Sequence, residues 1–206
     1  SLLGLGLYFS VDWLERRLCP WQSVCCVHMK AVRDFLELIK FEHTIFALPF
    51  AYLGMLLAAG GWPEWHLIIW ISIAMAAART VAMGFNRLAD RLLDARNPRT
   101  AQRPLVTGAI STRTAWGGTL LAMLMLSMAA WQLGHLPLKL LPGALLFLIG
   151  YSFTKRFTWL SHFILGFTDA LAPAGAWAAV RGSLFSAADL PAWLLTALVT
   201  LWIGGF

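Results

Sequence analysis

Residues 79–108 read RTVAMGFNRLADRLLDARNPRTAQRPLVTG. Asn86, Asp90 and Asp94 recur every four residues, so on a helix their three oxygen-bearing side chains share one face. Arg79 stands two helical turns before Asn86, on nearly the same face. From Leu67 to Asn86 it is the only charged residue. The stretch therefore starts inside an apolar segment long enough to cross a bilayer and leaves it in a run of arginines and aspartates. A charge within a span is costly and marks a functional position.

Outward from this stretch the chain stays apolar. Of its 206 residues 59% are hydrophobic and only 13% charged, which excludes an ordinary soluble domain. Six apolar segments are expected at 43–60, 67–86, 113–133, 138–154, 160–180 and 190–206, each near the length a bilayer needs. The fold class is thus all-α, a polytopic transmembrane helix bundle. The breaks are Gly60-Gly61-Trp62-Pro63, the polar stretch 87–112, Gly134-His135-Leu136-Pro137, Thr154-Lys155-Arg156, and Arg181 to Pro191. Before the first span, residues 31–42 form an amphipathic stretch with Val32, Phe35, Leu36 and Ile39 on one face, expected as an interfacial helix.

The net charge of +6 follows from 16 Lys and Arg against 10 Asp and Glu. Thirteen of the 16 lie before span one, between spans two and three, or between spans four and five. Lys139 and Arg181 lie on the other side, and Arg79 lies within span two. This bias places the 87–112 loop in the cytoplasm, in a membrane expected to be the bacterial inner membrane. It also explains the basic balance without a nucleic-acid partner. Cys19, Cys25 and Cys26 lack CxxC spacing and histidine company, which argues against a metal or disulfide framework. Residues 1–28 differ in character from the rest of the chain, and Met29 opens a more regular sequence. They are read as an upstream extension, with the domain over 29–206.

Carboxylates and an amide at i, i+4 and i+8 are hard oxygen ligands. Mg²⁺ takes one or two carboxylates together with substrate phosphates. Neighbouring arginines match phosphate oxygens with their planar fork. The alternative is a solvated loop helix on which Asp90 and Asp94 pair with Arg87, Arg91 or Arg96. The strict spacing and the intramembrane Arg79 favour a diphosphate–Mg²⁺ site at the mouth of a bundle. Asp169, inside span five, would meet an acceptor or pair with a basic group.

Three segments together resemble one known family. Asn86-x3-Asp90-x3-Asp94 with Arg99-Thr-Ala-Gln-Arg-Pro104 is similar to the first aspartate-rich motif of the UbiA superfamily of intramembrane prenyltransferases. Tyr151-Ser-Phe-Thr-Lys155 resembles the family's YxxxK segment. Leu165 to Trp177 is similar to the fifth span of its 4-hydroxybenzoate polyprenyltransferase branch, and fits haem O and chlorophyll synthases less well.

The resemblance implies nine helices around a central cavity, of which six are present, and a second aspartate-rich motif expected just past Phe206. The chain would then be C-terminally truncated and inactive alone. It further implies transfer of a polyprenyl group from polyprenyl diphosphate to an aromatic acceptor in quinone biosynthesis, with 4-hydroxybenzoate leading. A naphthoate or futalosine-type acceptor for menaquinone is the alternative. Asp90 and Asp94 would hold Mg²⁺, with Asn86 supporting the ion. Arg79, Arg103, Lys155 and Arg156 would stabilise the departing diphosphate. Tyr151 would orient Lys155 or touch the diphosphate, and Asp169 would face the acceptor. The prenyl chain would lie between helices open to lipid. A CDP-alcohol phosphotransferase would need Asp-x2-Asp-Gly, which is absent. A transporter would show internal repeats, and residues 79–108 have no second copy.

Overall fold

The computed structural model describes residues 33–205, without the side chains of Phe41 and His43. Residues 1–32, which contain the three cysteines and Met29, lie outside the described residues. No strand occurs among those described. Six helices carry the architecture: α1 Phe41–Ala59, α2 Trp65–Arg96, α3 Thr112–Gln132, α4 His135–Thr154, α5 Ser161–Arg181 and α6 Leu190–Gly204. Five spans, counting the 3-10 turn Ala187–Asp189 with α6, are long and apolar enough to cross a membrane. The apolar part of α1 is shorter. Outward faces such as Leu120, Leu121 and Leu124 of α3 are exposed, as suits helices whose solvent is lipid.

One expected boundary moves. The second span is expected to end at residue 86, yet its helix α2 runs on to Arg96. Its 32 residues span about 48 Å, well beyond a hydrocarbon core of about 30 Å. The cause is local. No glycine or proline occurs between Gly84 and Pro98, and the intervening Leu, Ala and Arg favour helix. The chain breaks only at Asn97, just before Pro98, where the residue preceding proline is driven to extended backbone.

The amphipathic entry segment also differs in detail. Residues 33–38 are helical, but the inward set is Phe35, Leu38 and Ile39, spaced i, i+3, i+4. Leu36 points outward, 36% exposed. Phe35 and Leu38 pack on Leu105, Ile110 and Ala115, so this turn supports the loop after α2. Lys40 takes a left-handed conformation (φ 51°) and separates it from α1.

Packing between helices relies on small residues, since lipid supplies no hydrophobic drive to associate. A Cβ on Gly54 of α1 would lie 2.5 Å from the carbonyl oxygen of Pro173 in α5. Gly166 of α5 similarly lies against the Thr200 backbone of α6. These two contacts fasten α1 and α6 to α5, while α2 packs along α3 and α4 packs beside α2 and α5. Pro49, Pro142 and Pro173 all sit inside helices.

Candidate functional site

The C-terminal extension of α2 and the C-terminus of α4 meet at one end of the bundle. Both helices run toward that end, so residues four apart on one stay in step with residues four apart on the other. Asn86 Nδ2 donates to the Tyr151 hydroxyl at 2.6 Å. One turn on, Lys155 Nζ bonds Asp90 Oδ2 and also reaches Asn86 Oδ1 at 3.5 Å. Arg156 adds a contact to Asp90 Oδ1 at 3.3 Å and donates to the Ala89 carbonyl at 3.0 Å. The i, i+4 pair Asn86/Asp90 is thus matched by the i, i+4 pair Tyr151/Lys155.

Asp94, a further turn along, meets a different cation. The chain after α2 folds back through an Asn97 turn, in which Asn97 Oδ1 accepts from Arg99 N at 3.0 Å. The Thr100 hydroxyl donates to the Asp94 carbonyl at 2.9 Å. Arg103 is extended, as a residue before proline must be, and Pro104 opens a one-turn helix Pro104–Thr107. Buried Pro104 and Leu105 anchor that turn. The result brings Arg103 Nη1 to 2.6 Å from Asp94 Oδ2. Thr100 has no prominence in the sequence, and its contribution is legible only in the turn.

The electrostatics are asymmetric. The Asp90 and Asp94 side chains are 6% and 11% exposed, whereas Lys155, Arg156 and Arg103 are each about one third exposed. Two buried carboxylates are ringed by cations that still reach solvent. Such cations can turn to an incoming phosphate without being desolvated afresh.

Arg79 and Asp169 stand apart from this set. Arg79 Nη1 lies 2.5 Å from Asp169 Oδ1, both side chains being largely buried. Arg79 is seven residues before Asn86, roughly 10 Å along the helix axis. Its Nε is buried without a hydrogen-bond partner among the described residues. The structure therefore gathers Asn86, Asp90, Tyr151, Lys155 and Arg156 in one group and joins Asp94 to Arg103. It sets Arg79 with Asp169 at a deeper level. Glu42 is exposed in the first turn of α1, outside this group.

Beyond the Arg79–Asp169 pair lies an apolar cavity of about 320 Å³. Ile71, Met75, Leu126, Phe147 and Phe167 are among its walls, and Arg79 and Asp169 both border it. The sequence marks these wall residues only as apolar.

Among the described residues no third His, Cys, Asp or Glu joins Asp90 and Asp94. Two carboxylates on one face fit a Mg²⁺ ion that completes its shell with phosphate oxygens and water. They do not fit a cage built wholly from protein. Asn86 offers an amide oxygen one turn below.

The family model described as UbiA prenyltransferase family matches residues 47–206. A protoheme IX farnesyltransferase of Thermus thermophilus is 35% identical over 173 residues, 82% of this chain and 28% of that protein. A 4-hydroxybenzoate octaprenyltransferase of Aliivibrio fischeri is 29% identical over 179 residues, 85% of this chain and 61% of that protein. The chain thus spans less than two thirds of the length of either relative. The apo structure of a UbiA homolog from Aeropyrum pernix superposes with TM-score 0.72 at 36% identity, covering 80% of this chain and 61% of that one. A UbiA homolog from Archaeoglobus fulgidus bound to DMAPP and Mg²⁺ matches with TM-score 0.67 at 21% identity, a likeness of fold. It covers 82% of this chain and 61% of that one. The fifth-span likeness, which pointed away from haem, does not separate the two kinds of relative. With its apolar helices and this match over residues 47–206, the chain is an integral membrane protein that belongs to the UbiA prenyltransferase family.

Proposed function

We propose that the whole protein transfers a polyprenyl group from a polyprenyl diphosphate to an aromatic acceptor, with 4-hydroxybenzoate as the leading acceptor. The observation that carries this reading is the pair of buried carboxylates Asp90 and Asp94, clamped by Lys155, Arg156 and Arg103 beside an apolar cavity. Asp90 and Asp94, with Asn86, would hold Mg²⁺, which neutralises diphosphate charge when bound. Lys155, Arg156 and Arg103 would release their carboxylate contacts to the diphosphate oxygens. The bond between the prenyl C1 and the diphosphate oxygen breaks, and its electron pair leaves with diphosphate. Cations already aimed at that oxygen lower the barrier because they need no reorganisation. A ring carbon of the acceptor attacks C1 and then loses its proton. Tyr151 positions Asn86 and adds a hydroxyl near the leaving group. Arg79 and Asp169 would face the acceptor, between the charged group and the apolar cavity.

Relatives named as 4-hydroxybenzoate octaprenyltransferases support this acceptor and a place in quinone biosynthesis. Relatives named as protoheme IX farnesyltransferases favour a second reading, with a porphyrin as acceptor. The positive-inside bias supports a site on the cytoplasmic side of a bacterial inner membrane.

The test uses the full-length protein in bilayers with Mg²⁺, polyprenyl diphosphate and either 4-hydroxybenzoate or haem. Prenylated 4-hydroxybenzoate and diphosphate are expected in equal amounts, and chelation of Mg²⁺ should stop both. Prenylated haem alone would establish the second reading. No prenylated product with either acceptor would remove both.

A further inference from the structure

The helical turn at residues 33–38, just before α1, is packed into one buried cluster with three other elements. Leu38, 2% exposed, shares that cluster with Leu105, Ile110 and Ala115, and Leu88 packs against it. Leu88 belongs to α2 and Ala115 to α3, while Leu105 and Ile110 belong to the stretch that follows Arg103. One turn before Leu38, the Phe35 ring lies over Gly118 of α3, where an added Cβ would stand 2.5 Å from Phe35 Cε2. Lys40, left-handed at φ 51°, sets the turn off from the axis of α1. That conformation is disfavoured for a residue with a Cβ, so the packing of the turn has to hold it.

Arg103 is fastened to this cluster through its own backbone. Its carbonyl accepts from Val106 N at 2.9 Å and from Thr107 N at 3.0 Å, and the Pro104 carbonyl accepts from Ile110 N at 3.1 Å. The Arg103 backbone therefore moves with Leu105 and Ile110. Between Asp94 and Pro104 no side chain is buried. The near end of this loop is tied to α2 by the Thr100 hydroxyl, and its far end is fixed by the packing that starts at Pro104 and Leu105. The Arg103 side chain is long and 31% exposed, yet Nη1 stands 2.6 Å from Asp94 Oδ2. A flexible side chain holds such an aim only from a fixed backbone.

We propose that Leu38 is a positioning residue for the diphosphate site: with its turn seated by Phe35 on Gly118, it anchors Leu105 and Ile110 and so aims Arg103 at Asp94 and at the departing diphosphate. The proposal rests on the polyprenyl-diphosphate reading given above. Leu38 and Phe35 are apolar and bind no phosphate themselves, so their effect passes through Arg103. Leu38→Ala removes the buried anchor and leaves Arg103 in the chain. Gly118→Ala puts a methyl where the Phe35 ring lies and unseats the same turn from its other side, with residues 97–110 unaltered.

The experiment measures kcat/KM for a polyprenyl diphosphate in the full-length protein in bilayer nanodiscs. Leu38→Ala and Gly118→Ala are each made alone and on an Arg103→Ala background. Each alone should lower the value by roughly tenfold, within the hundredfold that a misplacement of about 1 Å costs. On Arg103→Ala either should cost less than about twofold more, because residues that act through one group are not additive. A purely structural loss would multiply with that of Arg103→Ala, and the full factor in that background overturns the proposal. An unchanged value in folded Leu38→Ala also overturns it, and Gly118→Ala decides alone if Leu38→Ala does not fold. If the unaltered protein turns over no donor, the donor reading has failed and the anchoring is read by trypsin. Cleavage after the exposed Arg99 should be severalfold faster in the folded variants than in the unaltered protein, and equal rates overturn the anchoring.

Discussion

Arg79 of α2 and Asp169 of α5 form an ion pair at 2.5 Å between helices ninety residues apart in sequence, with side chains only 13% and 18% exposed. Both charges are largely desolvated and meet each other directly. Breaking a buried pair by removing one partner costs about 3–5 kcal/mol, whereas replacing both by apolar residues is far milder. Asp169→Leu alone and Arg79→Met alone should therefore each destabilise the protein strongly. The double variant should recover much of the loss. Unfolding in detergent followed by denaturant titration measures this cycle, and additive losses would show that the pair is not a coupled unit.

Asp90 is the carboxylate with the most cationic company, touched by both Lys155 and Arg156. Asp90→Asn keeps the shape and the helix but removes the charge that would face Mg²⁺. Prenyl transfer should fall by roughly 10²–10³-fold, the scale of losing one preorganised electrostatic contact. The variant should remain folded. A near-normal rate would take Asp90 out of the site.

Lys155 is 38% exposed, so its pair with Asp90 contributes little to stability, below about 1 kcal/mol. Its proposed work is on the leaving diphosphate. Lys155→Ala should lower kcat/KM for the donor by roughly 10²-fold and leave the acceptor KM unchanged. Initial-rate kinetics with each substrate varied in turn separates the two, and an equal loss for both substrates would contradict the assignment.

Gly54 permits α1 to lie directly against the Pro173 backbone. Gly54→Ala forces the helices apart and should cost about 1–3 kcal/mol, the range for overpacking a close contact. Thermal unfolding in detergent checks this. Gly143→Ala, where an added Cβ meets nothing within 4 Å, serves as the control and should be close to neutral.

The sequence by itself determined what depends on neighbours along the chain. The hydropathy runs placed six apolar segments, and the four-residue spacing put Asn86, Asp90 and Asp94 on one face because helical periodicity is local geometry. It ended the second span at residue 86, whereas the helix runs on unbroken to Arg96, because hydropathy marks where the bilayer ends and not where the helix does. It also chose Leu36 over Leu38 for the inward face of the entry turn, because both suit an amphipathic pattern and only Leu105 and Ile110 decide between them.

Partnership was decided by the tertiary structure. Which cation meets Asp90 and which meets Asp94 follows from α2 and α4 running side by side in register, and from the turn at Asn97 that returns Arg103. Arg79 reads in sequence as another phosphate ligand, and only the packing of α5 shows that Asp169 stands beside it. Asp189 carries no sequence signal at all, being one acid in a polar turn. Its four donors converge only because Trp177, Ser183 and Ser186 fold around it. A side chain's face is set by a few torsions along its own helix, while its partner is set by how small residues let separate helices approach.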